Sequence, residues 1–328
     1  MVDAANFYAP AVSEVPGFGA VVPAIVADTH EDASERFLEF FAATIRNANT
    51  RAAYMNAVAD FLRFESIVGL ASLAEIRSIH VSAYIEHAGM RFAPQTVKQR
   101  LAALRALFDW LARHGVLENN PAAPVRGPAY AYKRGKTPIL TAAEAKRLIE
   151  SIETDTMVGL RDRALIAVMV YSFARISAAV GMAVEDLVQT AGRSWLRLHE
   201  KGGKVHEMPV HHRLFEHLEV YLAVVGAQDA TAPLFRAALG RTGRLGLERL
   251  SRHDAYAMVR RRAIKAGVVE KIGNHSFRGT GITTYLENEG TLELAQEMAN
   301  HASPRTTKLY DRRGDKITQD AVERIRIE

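Results

Sequence analysis

The chain has no cysteine among its 328 residues. That excludes disulfides, cysteine-ligated zinc and a thiol nucleophile, and it suits a reducing compartment. Long apolar runs are also missing. The longest, near residues 165–170, falls far short of the roughly 20 residues that a membrane-spanning helix needs. The first residues show no basic stretch followed by an apolar one, so nothing reads as a secretory signal. The expectation is a cytoplasmic protein with no membrane partner. Internal repeats and low-complexity tracts are absent as well.

What is present suits a soluble globular protein. The length exceeds one ordinary core and fits two domains. The formal charge of +5 is uneven: counting Lys and Arg against Asp and Glu, residues 1–118 carry 10 − 13 = −3, residues 119–138 carry 4 − 0 = +4 and residues 139–328 carry 28 − 24 = +4. Positive charge therefore gathers in the middle and the second half, which points to a polyanionic partner.

The patterning predicts an irregular arm over residues 1–27 and a helical bundle over 28–118. Helices are expected from Ser34, from Asn49-Thr50 to about Glu65, over 80–88 and over 95–114. In the last of these Val97, Leu101, Leu104, Phe108 and Leu111 form an apolar stripe, with Lys98 and Arg105 opposite and Gly115 as the stop. Residues 119–138 read as a linker: four prolines, with Arg126, Lys133, Arg134 and Lys136 and no acid. Such a tether either tracks a phosphate backbone or is simply solvated. Residues 139–328 read as a second domain, mainly helical. Thr141 and Glu144 suggest a capping box, 161–179 a long apolar helix or helix pair, and 195–199 with 205–210 a β-hairpin. From His217 onwards the pattern is helical.

Six side chains in this half suggest phosphodiester chemistry. Arg175 ends an apolar helix, where it either meets an anion or is paired internally, with Asp162, Glu185 or Asp186. Lys201 sits at a Gly turn, placed to act as a general acid, with Lys204 as its rival. His275 and Arg278 share a helix face, with Asn274 suited to cap that helix. Ser303-Pro304 reads as a helix start, which puts His301 just before a helix and Tyr310 about two turns inside it, on the face of Thr306 and Thr307. Arginines clamp phosphate oxygens bidentately, and a tyrosine can be a covalent nucleophile. Taken singly, each of these residues reads as structural. A basic run from Arg241 to Lys265 contains Arg252, Arg260 and Arg261 on one helix and offers a further phosphate-tracking surface. His206, His211, His212 and His217 lack the carboxylate and helical-pair context of a zinc motif, so no metal and no cofactor are expected.

In this order the motifs Ser-Phe-Ala-Arg175-Ile-Ser, Lys201-Gly-Gly-Lys-Val-His-Glu-Met-Pro, His275-Ser-Phe-Arg278 and His301-Ala-Ser-Pro-Arg-Thr-Thr-Lys-Leu-Tyr310 resemble the tyrosine recombinase (phage integrase) family. The resemblance implies a mainly α fold with a small antiparallel β-sheet: an N-terminal helical (SAM-like) core-binding domain and a C-terminal mixed α+β catalytic domain. It implies a site-specific recombinase that clamps double-stranded DNA between two domains and cuts it through a 3′-phosphotyrosine, without metal. Tyr310 would be the nucleophile, Arg175, Arg278 and His301 the phosphate clamp, Lys201 the acid and His275 a proton-transfer partner. A homotetramer on synapsed sites is implied, with Ile317, Val322 and Ile325 as a C-terminal docking stripe and DNA-bending proteins as accessory partners. Alternatives are a type IB topoisomerase-like activity and a non-catalytic DNA-binding protein. The chain departs from the family pattern where Gly is frequent, at Phe173 and Asn300. It also departs at Ala178, where Glu is frequent, and at Gly279, where His is frequent. These departures favour a mobile-element integrase over the housekeeping Xer branch.

Overall fold

The computed structural model describes residues 12–15, 20–129, 135, 137–200, 203–226 and 229–311. The chain divides into two compact units at residues 131/132.

In the first unit the core is built by α2 (Ala33–Glu39), α3 (Ala48–Leu62), α4 (Ser78–Arg91) and α5 (Pro94–Arg113). A wider π turn over Phe40–Thr44 extends α2 and lets Phe37, Phe40 and Phe41 pack edge to face in the core. Asn47 caps α3 by accepting from the Asn49 and Thr50 amides, both at 3.1 Å. The predicted α5 stripe is wholly buried, and Gly115 ends the helix at φ +75°. The arm expected to be irregular contains structure. Here β1 (Val12–Val15) pairs antiparallel with β2 (Ala20–Pro23), and α1 (Ala24–Ala27) follows. Val22 and Val26 bury fully in the core, an anchorage that a low-charge Ala/Val/Pro stretch does not announce by period.

The second unit begins its helical core with α6 (Ala142–Glu150), closed by the predicted box. Thr141 Oγ1 accepts from the Glu144 amide at 3.2 Å, and Glu144 takes the Thr141 amide at 2.8 Å. The apolar stretch resolves into a helix pair, α7 (Met157–Tyr171) and α8 (Ile176–Gly181). The hairpin gains a strand that pattern reading missed. β3 (Leu187–Thr190), β4 (Arg193–His199) and β5 (Val205–Pro209) form one antiparallel sheet, with Leu196 opposite both Leu187 and Met208. After α9 (His212–Val225) the expectation of uninterrupted helix fails: β6 (Arg236–Ala238) and β7 (Leu245–Arg249) make a second hairpin, too short for a period to show. Then come α10 (Arg252–Lys265), α11 (Asn274–Glu287), α12 (Leu292–Met298) and α13 (Pro304–Lys308). Gly273, not Asn274, is the N-cap of α11.

Two buried helices, α7 and α11, pack against each other at the centre of this unit. Gly281 sets their spacing, because a Cβ there would stand 2.1 Å from the Val170 carbonyl and 2.7 Å from the Phe173 ring. Gly281→Ala is therefore expected to cost about 3 kcal/mol in denaturant unfolding. A loss below about 1 kcal/mol would mean that the two helices separate freely.

Candidate active site

The site grows out of the link between α7 and α8. The Ser172 hydroxyl donates back to the Val168 carbonyl at 2.6 Å, ending α7, and Phe173 then turns left-handed at φ +52°. A bulky residue with positive φ is a strained one. The turn aims the Phe173 carbonyl at Arg278, whose Nη1 donates to it. Arg278 Nη2 donates to the Ala299 carbonyl, one residue before Asn300, itself left-handed at φ +45°. Two left-handed turns from distant parts of the chain thus hold one guanidinium. Arg278 is 1% exposed, and its Nε has no hydrogen-bond partner among the described residues.

Arg175 caps the start of α8 and points its Nη1 at Glu200 Oε2, 2.6 Å away. The internal partners suggested by sequence are engaged elsewhere or exposed. Asp162 is held by Arg161 and Arg262, Asp186 by His199 and the Ala183 amide, and Glu185 faces solvent. Pattern reading missed Glu200; its one signal was adjacency to Lys201 at the end of a strand.

Tyr310 lies beyond the end of α13, not two turns inside a helix, because that helix stops at Lys308. Ser303 caps it as expected, accepting from the Arg305 amide. Of the two threonines expected on the tyrosine's face, Thr307 is buried and meets His301 Nδ1 at 2.9 Å, whereas Thr306 is exposed. The Tyr310 carbonyl accepts from the Thr283 hydroxyl at 2.7 Å. The phenol oxygen sits against His275 Nε2, and the ring stacks parallel to His301 at 6.0 Å between centroids. The structure thus brings Arg175, His275, Arg278, His301 and Tyr310 together. Lys201 falls outside the described residues.

The electrostatics describe a site short of negative charge. Burial, and then the Arg175 charge, pulls the Arg278 guanidinium down to about 10. Burial pushes His301 down to about 3, with Arg278, Arg175 and His275 adding to it, and it lowers His275 for the same first reason. The Tyr310 phenol is raised by burial, while Arg278 and Arg175 work in the opposite direction. Two arginines and two imidazoles held low by burial thus surround a protonated phenol, which is already in contact with one of the imidazoles.

With that geometry in hand, the relatives are informative. Residues 138–316 match the phage integrase family, and residues 35–115 match its N-terminal SAM-like domain. The chain belongs to the phage integrase family. It is 28% identical over 310 residues to tyrosine recombinase XerC of Xanthomonas campestris pv. campestris, covering 92% of this chain and 91% of that one. To XerC of Salmonella typhi it is 31% identical over 219 residues, covering 66% and 69%. The fold is shared with a lambda integrase dimer bound to a core site (TM-score 0.66, 18% identity, 87% and 96% covered). It is also shared with the XerH recombinase on its difH substrate (TM-score 0.61, 21% identity, 84% and 77% covered).

Within this integrase, three of the departures acquire physical meaning. Phe173 and Asn300 stand where glycine is frequent, and both are left-handed, so the backbone shape persists without the residue that adopts it most easily. At Gly279 a Cβ would lie 2.7 Å from Ile139 Cγ2 and 3.2 Å from the Tyr310 ring, which leaves no room for a histidine.

The basic residues divide into two groups. Lys98, Arg252 and Arg261 are exposed, as are Arg241 and Arg244. Arg105 instead donates to the Ala122 and Val125 carbonyls, and Arg260 to the Ile272 carbonyl at 3.2 Å. Arg262 is likewise engaged, with Asp162, while Arg249 and Lys265 are exposed even though they pair with the Val180 and Met182 carbonyls and with Glu153 respectively. Lys133, Arg134, Lys136 and the stripe of Ile317, Val322 and Ile325 lie outside the described residues. Among the described residues no group of three or more His, Asp or Glu is placed to hold a metal. Of the four histidines considered, His206 meets the Met298 carbonyl at 3.1 Å and His211 stacks on Tyr171.

Asn300 is expected to tolerate Gly with a stability change below about 1 kcal/mol, whereas Asn300→Val costs about 1–3 kcal/mol. Equal thermal stability of the two variants would contradict the left-handed turn. The buried imidazole carries a pH signature. His301 in the fold binds its proton far below the ordinary 6.5, so the unfolded chain protonates first. Stability present above about pH 6.5 is therefore lost as pH falls towards about 3. Thermal unfolding across that range should decline less steeply in His301→Gln; an identical slope would mean that His301 is not held neutral.

Proposed function

We propose that this chain cuts and rejoins DNA through a covalent link to Tyr310. Family membership makes the protein a site-specific recombinase and an enzyme. The observation that carries the residue roles is the contact of the Tyr310 phenol with His275 Nε2 beside Arg175, Arg278 and His301.

In this reading the scissile phosphate lies between Arg175 and Arg278. Arg278 has its two terminal nitrogens anchored on carbonyls, so its unpartnered Nε remains for a phosphate oxygen. A bound phosphate supplies the negative charge that the site lacks. The Tyr310 oxygen attacks phosphorus as its proton passes to His275. The bond to the 5′-oxygen breaks, and that oxygen leaves as a hydroxyl with a proton from Lys201. The arginines, with His301, stabilise the charge of the pentacoordinate transition state. The 5′-hydroxyl of a second strand reverses the steps and releases the tyrosine. The phosphotyrosine keeps the energy of the original bond, so strand exchange needs no ATP.

The protein works on double-stranded DNA as a multimer, which we place as a homotetramer on synapsed sites joined through the C-terminal residues. The exposed Lys98, Arg252 and Arg261 are proposed backbone contacts, with Lys133, Arg134 and Lys136 of the basic segment. Carriage on a mobile element and accessory DNA-bending proteins complete the reading. No helix among the described residues is long and apolar enough to cross a membrane.

A nicked suicide substrate carrying the protein's own site tests the chemistry. The wild type is expected to form a covalent protein–DNA adduct, and Tyr310→Phe to bind the same DNA without forming one. Adduct formation by Tyr310→Phe would sink the assignment of the nucleophile.

A further inference from the structure

We propose that Glu200 is a positioning residue for Arg175, bringing from the end of β4 a carboxylate that α8 does not supply. The two side chains differ in freedom. The Glu200 carboxylate is 4% exposed, and its backbone is tied into the hairpin, its amide donating to the Lys204 carbonyl at 2.7 Å. Arg175 is 36% exposed, on a long side chain at the open end of a short helix. The carboxylate is therefore the fixed point, and the guanidinium is what it orients.

Among the described residues no other carboxylate pairs with Arg175. One turn along α8 the residue is Ala178, fully buried and without a polar group. Asp186 is bound to His199 at 2.8 Å and to the Ala183 amide. A buried carboxylate needs a paired cation, and Arg175 meets that need through Nη1 alone. The guanidinium is a planar fork of five N–H groups, so fixing one corner sets the direction of Nε and Nη2.

The pair also has an electrostatic consequence. Arg175 and Arg278 repel each other, and Glu200 offsets part of that on the Arg278 side. A carboxylate beside a phosphate site opposes anion binding while it aligns the clamp. Removing it should therefore weaken chemistry without weakening DNA binding. A group needed only for binding would not separate the two.

The assignment rests on the strand-cleavage reading above, and one experiment separates the two. Single-turnover cleavage of the suicide substrate and affinity for the uncleaved site are measured for wild type, Glu200→Gln, Glu200→Asp, Arg175→Ala and the Arg175→Ala/Glu200→Gln double variant. Glu200→Gln is expected to slow cleavage about 10- to 100-fold, the scale of a misaligned reacting group, with affinity unchanged or tighter. Glu200→Asp should recover part of the rate, and Glu200→Gln should add nothing once Arg175 is Ala. A Glu200→Gln rate equal to wild type overturns the proposal. So does an equal fold-loss in the Arg175→Ala background, or a rate loss matched by lost affinity. Absence of an adduct with wild type itself overturns the strand-cleavage reading and takes this inference with it.

Discussion

The guanidinium of Arg278 is almost completely buried, is held by the carbonyls of Phe173 and Ala299, and has no carboxylate within ion-pair distance among the described residues. A charge placed so deep is unfavourable unless hydrogen bonds and a counter-charge compensate for it. Here the fold supplies two carbonyl hydrogen bonds and, among the described residues, no carboxylate at ion-pair distance. Much of the local architecture follows. The α7–α8 link must turn left-handed at Phe173, and the chain after α12 must turn left-handed at Asn300. Helix α11 must approach α7 closely enough to present Arg278 to both carbonyls, which is why Gly281 sits against Val170.

Uncompensated charge also governs the other side chains. Burial, with the neighbouring arginines, holds both His275 and His301 below the ordinary imidazole range. The same burial raises the Tyr310 phenol, while the arginines favour its ionised form. The phenol is thus protonated at rest. Glu200 fits this balance as a limited negative charge on the outer arginine, leaving the inner one unpaired.

Much of this was legible in the chain. The α5 stripe, the Thr141 box and the Ser303-Pro304 start of α13 are local signals with local causes, and all three appear as read. The catalytic candidates were legible as a set, since five of the six converge and the sixth, Lys201, lies outside the described residues. Less legible were features whose cause lies in distant contacts. The β6–β7 hairpin is too short for a period, and Val22 and Val26 are buried because of what covers them. Arg105 and Arg260 looked like free cations but are held by carbonyls 12 to 20 residues away. Tyr310 left its helix because its carbonyl is taken by Thr283, 27 residues upstream.

By itself the sequence determined the family and the mainly helical class and singled out the candidate site residues, because these depend on residue type, order and short-range capping. Only the tertiary structure decided how those groups are held. Left-handed turns at Phe173 and Asn300, a carboxylate from the neighbouring strand and a histidine 35 residues from the tyrosine that it touches are relations between segments far apart in the chain. Packing creates them. It is there that burial and fixed backbone dipoles shift the titration of ordinary side chains.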